Sequence, residues 1–554
     1  MHSCRDRDAE KLSVAERRWL DGYGWRGYFR GVGEPGERVR TAEVAASLSL
    51  GIDHGMGSPL EQGLFAALVA GRLASAVGVD SSTARSAFYT ALLMHITCTT
   101  DAHVSAAVIA PGATPRHMDP VMFGSRSEQM RGGLRALGEG HPNIVDRVGH
   151  TAVTLARAMR GRAAHFRAVC EVGPMLSARL GLPPGVGHGL GMVTERWDGK
   201  GIPNRRSGTD LPMSLRIAHL ARDASFQTGI RPIDEIDALV RERSGRAFDP
   251  DVAAAFLSDL RGILSRGDAE SLWDEVLAAE PEPHSWLDGT QIDDALSAFG
   301  DFTDLASPCL SGHSSGVADL AARAAVSLGC SEEQVRHVRR AGWVHDVGRV
   351  AVWADIWCKP GPLTRDEREQ VRLHPYYTQQ VIRPSPFLAR LDPTASHHHE
   401  ALDGSGYHRG ESGDAVPALA RLLGAADAYH AMTEPRGHRP PMPAEHASQA
   451  LREGAAAGRF DADCVAAVLD AAGQPIGPVL RPAGLTPREV QVIVRVARGM
   501  ATKQIARDLG IAVKTADRHV QNAYIKCGVT TRPAATLFAM QHGLMAWGNF
   551  PMGQ

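Results

Sequence analysis

The sequence predicts an all-helical chain: two tandem helical units followed by a smaller third one. Three observations carry this reading. Ala, Leu and Val dominate the composition, while aromatic residues make up 6% of the 554. Apolar residues recur at three- and four-residue spacing between complete helix start and stop signals. Finally, Glu195, Asp198 and Pro212 recur 205 residues later as Glu400, Asp403 and Pro417, which marks an internal repeat.

A prior of roughly 150 residues per domain gives three or four domains. With 22% charged and 44% apolar residues, the chain is globular and not disordered. A net charge of −2 means that nucleic acid must be met by a local basic patch and not by overall attraction. The eight cysteines are scattered with no C-x-x-C pair, as expected for reduced thiols in a cytosol. The first thirty residues lack the apolar segment of a signal peptide, and no run reaches the roughly 18 apolar residues that cross a bilayer. The expected location is cytoplasmic, with no membrane contact.

Residues 1–40 read as a polar lead-in. Residues 41–265 form the first helical unit, whose apolar spacing runs through Leu64, Leu68 and Leu73 to Leu92-Leu93-Met94-His95. Residues 266–300, acidic and punctuated by Pro281 and Pro283, read as a linker. The second unit, 301–472, is a series of capped helices. One opens at His313 with the stripe Val317, Leu320, Ala321, Ala324 and Leu328, and Gly329 ends it. Ser331 with Gln334 makes a capping box for the next, which carries Val338, Ala341 and His345 on one face. Thr364 with Glu367 caps another, and Pro417 suits the first turn of a helix bearing Leu419, Leu423 and Asp427. A stiff linker at 473–484 leads into residues 485–554, where Thr486-Pro487-Arg488-Glu489 combines an N-cap, a proline at N1 and a glutamate at N3.

The second unit carries the chemistry. His397-His398-His399-Glu400 precedes Asp403-Gly404-Ser405-Gly406-Tyr407, with His345-Asp346 upstream and Asp427 downstream. Imidazole is the commonest transition-metal ligand, and a buried Asp427 without a partner would cost several kcal/mol. His313, His345, Asp346, His374, His398, His399 and Asp427 therefore suit one metal pocket. The mixed donor set favours iron or manganese, admits zinc, and is too rich for one ion, so two divalent ions are expected. Such a pair hydrolyses phosphoesters, with Asp346 as the natural bridge. The first unit lacks this set: Val193 and Thr194 stand opposite His398 and His399, Arg222 stands opposite Asp427, and His95-Ile96 aligns with His345-Asp346.

These motifs, with Gly312-His313 and His374-Pro375, resemble the HD-GYP phosphohydrolases over roughly Asp304 to Ala472. The resemblance implies an all-helical HD-like domain that hydrolyses cyclic di-GMP, with Asp346 and Arg349 in catalytic positions. Arg349, Asp403, Gly406 and Tyr407 would contact substrate. The first unit then reads as a degenerate HD-like copy with a structural, sensory or dimer-forming role. Three positions depart from the family pattern: Arg349 replaces a lysine, His408 a proline, and Cys309 a glutamate ligand, which favours two metals over three.

Residues 485–543 resemble a four-helix LuxR-type helix-turn-helix domain through Leu485-Thr486-Pro487-Arg488-Glu489, Ile505-Ala506, Leu509-Gly510, Lys514-Thr515, His519, Lys526 and Gly528-Val529. Nine basic residues against three acids between Leu485 and Met540 make the local patch that phosphate binding requires. By resemblance, Asp517, Arg518 and Gln521 face base edges in the major groove, while Lys503, Lys514, Thr515 and Lys526 hold the backbone of double-stranded DNA. Paired half-sites make a homodimer the expected form. The functional expectation is a transcription regulator whose metal-dependent phosphohydrolase domain acts on or senses cyclic di-GMP. The alternatives are a catalytically silent nucleotide sensor and a hydrolase of another nucleotide or phosphoester.

Overall fold

The computed structural model describes residues 37–96, 117–138, 166–267, 271–436, 439–473 and 482–547. Nearly all of the expected lead-in and most of the second linker lie outside the described residues. In the first unit, α1 (Thr41–Met56), α2 (Gln62–Val77), α3 (Ser81–Leu92) and α4 (Met213–Gln227) form the framework. The α2 stripe of Leu64, Leu68 and Leu73 is fully buried, because α2 packs on both α3 and α4.

A short ribbon interrupts the helices. In it β1 (Arg38–Arg40) pairs antiparallel with β2 (Trp286–Asp288), placing Val39 opposite Leu287. Beside the ribbon, Arg40 forms an ion pair with the buried Glu280, which also accepts from the Tyr89 hydroxyl. The stretch 266–300 is therefore not a free linker: it contains the helix Leu272–Ala278, β2 and most of α5 (Gly289–Leu305). Its prolines punctuate ordered structure, and a strand pairing between the two ends of the first unit leaves no local periodicity to read.

The second unit repeats the framework. It contains α6 (His313–Ser327), α7 (Glu332–Val344), α8 (Arg365–Arg372), α9 (His374–Ile382) and α10 (Ala418–Thr433). Capping boxes at Ser331–Gln334 and Thr364–Glu367 start α7 and α8. Pro417 is the N-cap of α10, one position before the first turn. Helix α6 packs on α7 and α10 as α2 packs on α3 and α4.

The helices that precede the two histidine-bearing turns start alike. Asp80 caps α3 as Ser331 caps α7. His95 and the His345-Asp346 pair both lie just past the ends of these helices, which close at Leu92 and Val344.

The two units share their interior. Helix α1 packs on α9 and on the segment Val347–Ala351. A Cβ on Gly51 would lie 3.6 Å from Val347 and 3.8 Å from Val381. One apolar core runs continuously from Val39 to Leu544. The C-terminal unit comprises α11 (Pro487–Ala497), α12 (Thr502–Asp508), α13 (Val513–Cys527) and α14 (Arg532–Gln541). It meets the first unit where Glu171 accepts from the Thr530 amide and the Thr531 hydroxyl, 2.6 Å each. Among the described residues, no helix is long and apolar enough to cross a membrane.

Cys309 and Cys358 form a disulfide, with Cα atoms 6.0 Å apart. This corrects the expectation that all eight cysteines are isolated thiols. A sequence separation of 49 hides the approach from sequence, and folding of α6 and α7 brings the two together.

One prediction concerns pH. Burial lowers His337 to about 4, and its Nε2 lies 3.1 Å from the Thr394 hydroxyl. Folding holds this imidazole neutral, so its contribution is complete above about pH 6.5 and is lost as pH falls toward 4. Urea midpoints measured from pH 7 to 4.5 should fall less steeply in His337→Gln than in the parent chain.

Candidate metal centre

Local structure aims the imidazoles. His345, His374 and His398 each bring Nδ1 to the carbonyl three residues earlier, that of Gly342, Val371 and Ala395, at 2.7, 2.6 and 2.6 Å. A carbonyl only accepts, so each Nδ1 carries the proton and each Nε2 presents a lone pair to the interior. The Nε2 atoms of His374 and His398 lie 3.2 Å apart, both lone pairs facing inward. His345 Nε2 and Asp346 Oδ1 are buried without a hydrogen bond. Lone pairs crowded in this way call for a cation, and the donor set fits a transition metal.

Asp346 lies at the centre. Its Oδ2 is 3.4 Å from His313 Nε2 and 3.2 Å from His345 Nε2. Its Oδ1 is 3.1 Å from His374 Nε2 and 3.6 Å from His398 Nε2. Asp427 extends the first side, 3.1 Å from His313 Nε2, and lies 3.8 Å from His399 Nδ1. All seven expected ligands thus fall in one pocket, in overlapping groups whose donor atoms lie within 4.8 Å of one another. Burial would raise the Asp346 carboxyl, but Arg349 and His345 outweigh it and hold the group well below the ordinary carboxylate range. Asp427 is lowered likewise, by His313 and His399 against its burial.

The expected substrate contacts divide. Arg349 is buried, paired with Asp346 and stacked over Trp357 with 4.8 Å to the ring centroid. Tyr407 borders the cluster, its ring centroid 4.7 Å from that of His399. Asp403 and Gly406 shape the loop instead. Asp403 is exposed and accepts from the Ser405 amide at 2.9 Å, closing a turn away from the pocket. A Cβ on Gly406 would stand 2.4 Å from Ala401 N and 2.6 Å from Glu400 Cα. Glu400 holds the loop by accepting from the amides of Arg409 and Glu411, as Glu195 does from Asn204 and Arg206. The repeated loop motif therefore survives in the first unit as architecture.

Sequence reasoning missed Glu434 and His430. Glu434 Oε1 lies 2.9 Å from His313 Nδ1, and His430 Nδ1 lies 3.3 Å from Glu434 Oε2. Asp427, His430 and Glu434 are spaced three and four apart, so one helical stripe would have found them. Asp304, also missed, accepts from the amide and hydroxyl of Ser314, each at 2.9 Å, and burial raises it to about 7.

The first unit holds a cation of its own. Arg222 Nε donates to His95 Nε2 at 2.7 Å, and its Nη2 to Asp119 Oδ2 at 3.1 Å, all in the interior. Burial and Arg222 hold His95 neutral, lowering it well below the ordinary imidazole range. A guanidinium thus stands where the second unit places Asp427.

In the C-terminal unit, Lys503, Lys514, Thr515, Asp517, Arg518 and Gln521 are exposed on α12 and α13. Lys526 is exposed as well but differs in having an acid partner: its ammonium pairs with Glu489 at 2.7 Å and bonds the Gly484 carbonyl at 3.2 Å, so its charge is offset within the domain.

Residues 299–464 match the HD domain family, and residues 483–539 match the luxR family of bacterial regulatory proteins. Curated relatives include 3'3'-cGAMP-specific phosphodiesterase 3 of Vibrio cholerae, 34% identical over 54% of this chain and 65% of that protein. Another is the cyclic di-GMP phosphodiesterase response regulator RpfG of Xanthomonas campestris, 36% identical over 26% of this chain and 39% of that protein. The chain thus spans less than two thirds of the length of these relatives. A crystal structure of a cyclic GMP-AMP specific phosphodiesterase of Vibrio cholerae shares the fold, with a TM-score of 0.53 and 23% identity over 79% of this chain and 99% of that one. The LuxR-type domain belongs to a DNA-binding class, and HD phosphohydrolases are metal-dependent.

Three outcomes follow. Arg222→Met strands the buried Asp119 and should cost about 3–5 kcal/mol of stability, with the bound metal content per chain unchanged by elemental analysis. Lys526→Ala should lower the melting temperature of the C-terminal unit and leave the salt dependence of DNA binding unchanged. Lys514→Ala should instead reduce that log–log slope by about 0.9.

Proposed function

We propose that this chain, which carries an HD domain followed by a LuxR-type helix-turn-helix, is a transcription regulator that hydrolyses a 3',5'-cyclic dinucleotide at a two-metal centre. The observation that carries the reading is the set of three histidines whose Nδ1 protons are fixed on backbone carbonyls, around a carboxylate with donors on both of its oxygens. His313, His345 and Asp427 would hold one ion, and His374, His398 and His399 the other, with Asp346 shared between them. Iron or manganese suits the donors, and zinc is admissible. When bound, such a pair supplies a hydroxide and offsets charge on the phosphoryl group.

In the overall reaction, a water oxygen forms a bond to phosphorus, the P–O3' bond breaks, and the 3' oxygen takes the proton. The product is a linear dinucleotide with a 5'-phosphate. Asp346 positions both halves of the centre. Arg349, held over Trp357, keeps positive charge beside it without acting as a proton donor. Cyclic di-GMP and 3'3'-cGAMP are the substrates to compare, because relatives named for each align with the chain. Exposed bases and polar groups on α12 and α13 would read a duplex, with two copies of the chain on paired half-sites.

Purified chain should retain close to two ions and release linear product from one of the two dinucleotides. Asp346→Ala should lose most of its metal, and turnover should drop by at least 10³-fold. Full metal loading with no product from either dinucleotide would leave a sensor in place of an enzyme.

A further inference from the structure

Beside the metal centre stands a guanidinium with no acid partner. Arg372 closes α8, and its guanidinium carbon lies 5.1 Å from the centroid of Tyr407, whose ring borders His399. An arginine at a helix C-terminus ordinarily bonds the last carbonyls or a nearby carboxylate. Arg372 does neither: among the described residues it makes no ion pair and no hydrogen bond, although it is half-buried. By contrast, Arg349 is committed to Asp346, and Arg436 to Glu434. The α8–α9 corner also exposes Leu373 and Tyr376, each 40% accessible, and the Tyr376 ring stands 5.8 Å from that of His408. The rim therefore offers a free planar cation on an aromatic face, next to an uncovered apolar shelf.

Resting on the hydrolase reading above, we propose that Arg372 is a specificity-determining residue that binds the second phosphodiester of the cyclic dinucleotide, the one not being cleaved. A cyclic dinucleotide carries two phosphodiesters joined through two nucleosides. When one sits at the metal ligands, the other must lie toward the rim, where an arginine forks onto two of its oxygens. Seating on Tyr407 pre-orients the guanidinium and leaves its N–H edges free for the ligand. Leu373 and Tyr376 give the flanking base an apolar surface. A simple diester with one phosphate has nothing to offer Arg372, so this contact separates cyclic dinucleotides from smaller esters.

The test is steady-state kinetics of the metal-loaded full chain on cyclic di-GMP, 3'3'-cGAMP and bis(p-nitrophenyl) phosphate, with equilibrium binding of both dinucleotides measured in parallel. In Arg372→Ala, KM for the hydrolysed dinucleotide should rise about 10–100-fold, as for loss of a hydrogen bond to a charged group. Its kcat should stay within about threefold, and the loss of kcat/KM on bis(p-nitrophenyl) phosphate should be at least tenfold smaller. Arg372→Lys should recover part of the affinity. An equal loss on both substrate classes, or a dinucleotide KM that does not move, overturns the assignment while the hydrolase reading stands. A parent chain that neither turns over nor binds either dinucleotide overturns both.

Discussion

The hydrogen bond from an imidazole Nδ1 to the carbonyl three residues earlier is the constraint on which the rest of the site depends. It occurs at His345, His374 and His398, near the end of α7, at the start of α9 and within the histidine loop. Each bond fixes a tautomer and a ring direction with no help from outside its own turn. Three rigid turns, brought together by tertiary packing, thus deliver three lone pairs to one place. The Nε2 atoms of His374 and His398 lie 3.2 Å apart, beside the Asp346 carboxylate that carries the negative charge of the cluster. The folded chain therefore sets up an electrostatic deficit that a cation relieves.

The first unit solves the same problem differently. It keeps the helix arrangement and the glycine loop but exchanges the charges. Arg222 stands in the place of Asp427, donating to His95 and with Asp119 as counter-ion. A covalently attached guanidinium makes the interior self-sufficient. Because α1 packs on the segment following His345-Asp346, this unit also buttresses the His345-Asp346 turn of its neighbour. The C-terminal unit joins the same body through Glu171 and through Met545, whose side chain lies against Gly312, the residue before His313. His313, the first unit and the LuxR-type unit are thus in mechanical contact.

Much of this was legible in the sequence because it is local. The capping boxes at Ser331, Thr364 and Thr486 need only four residues each, and the structure contains all three. The seven candidate ligands stood out because His and Asp on inward helix faces are costly unless they meet. The roles of Asp403 and Gly406 were less visible: a motif repeated in both units looks functional, yet here its Asp, Gly and Glu close a loop.

What the sequence determined by itself was the set of helices, the position of the histidine tract and the basic C-terminal patch. What only the tertiary structure decided were pairings between distant segments. These include the β1–β2 ribbon, the Cys309–Cys358 bond, Glu434 against His313, the internal partner of Lys526, and the unpaired Arg372 on Tyr407. The physical reason is common to all of them. Helical periodicity and caps are set by neighbours within one or two turns, whereas a side chain's partner across the core depends on how whole helices pack, and that leaves no mark on the residues beside it.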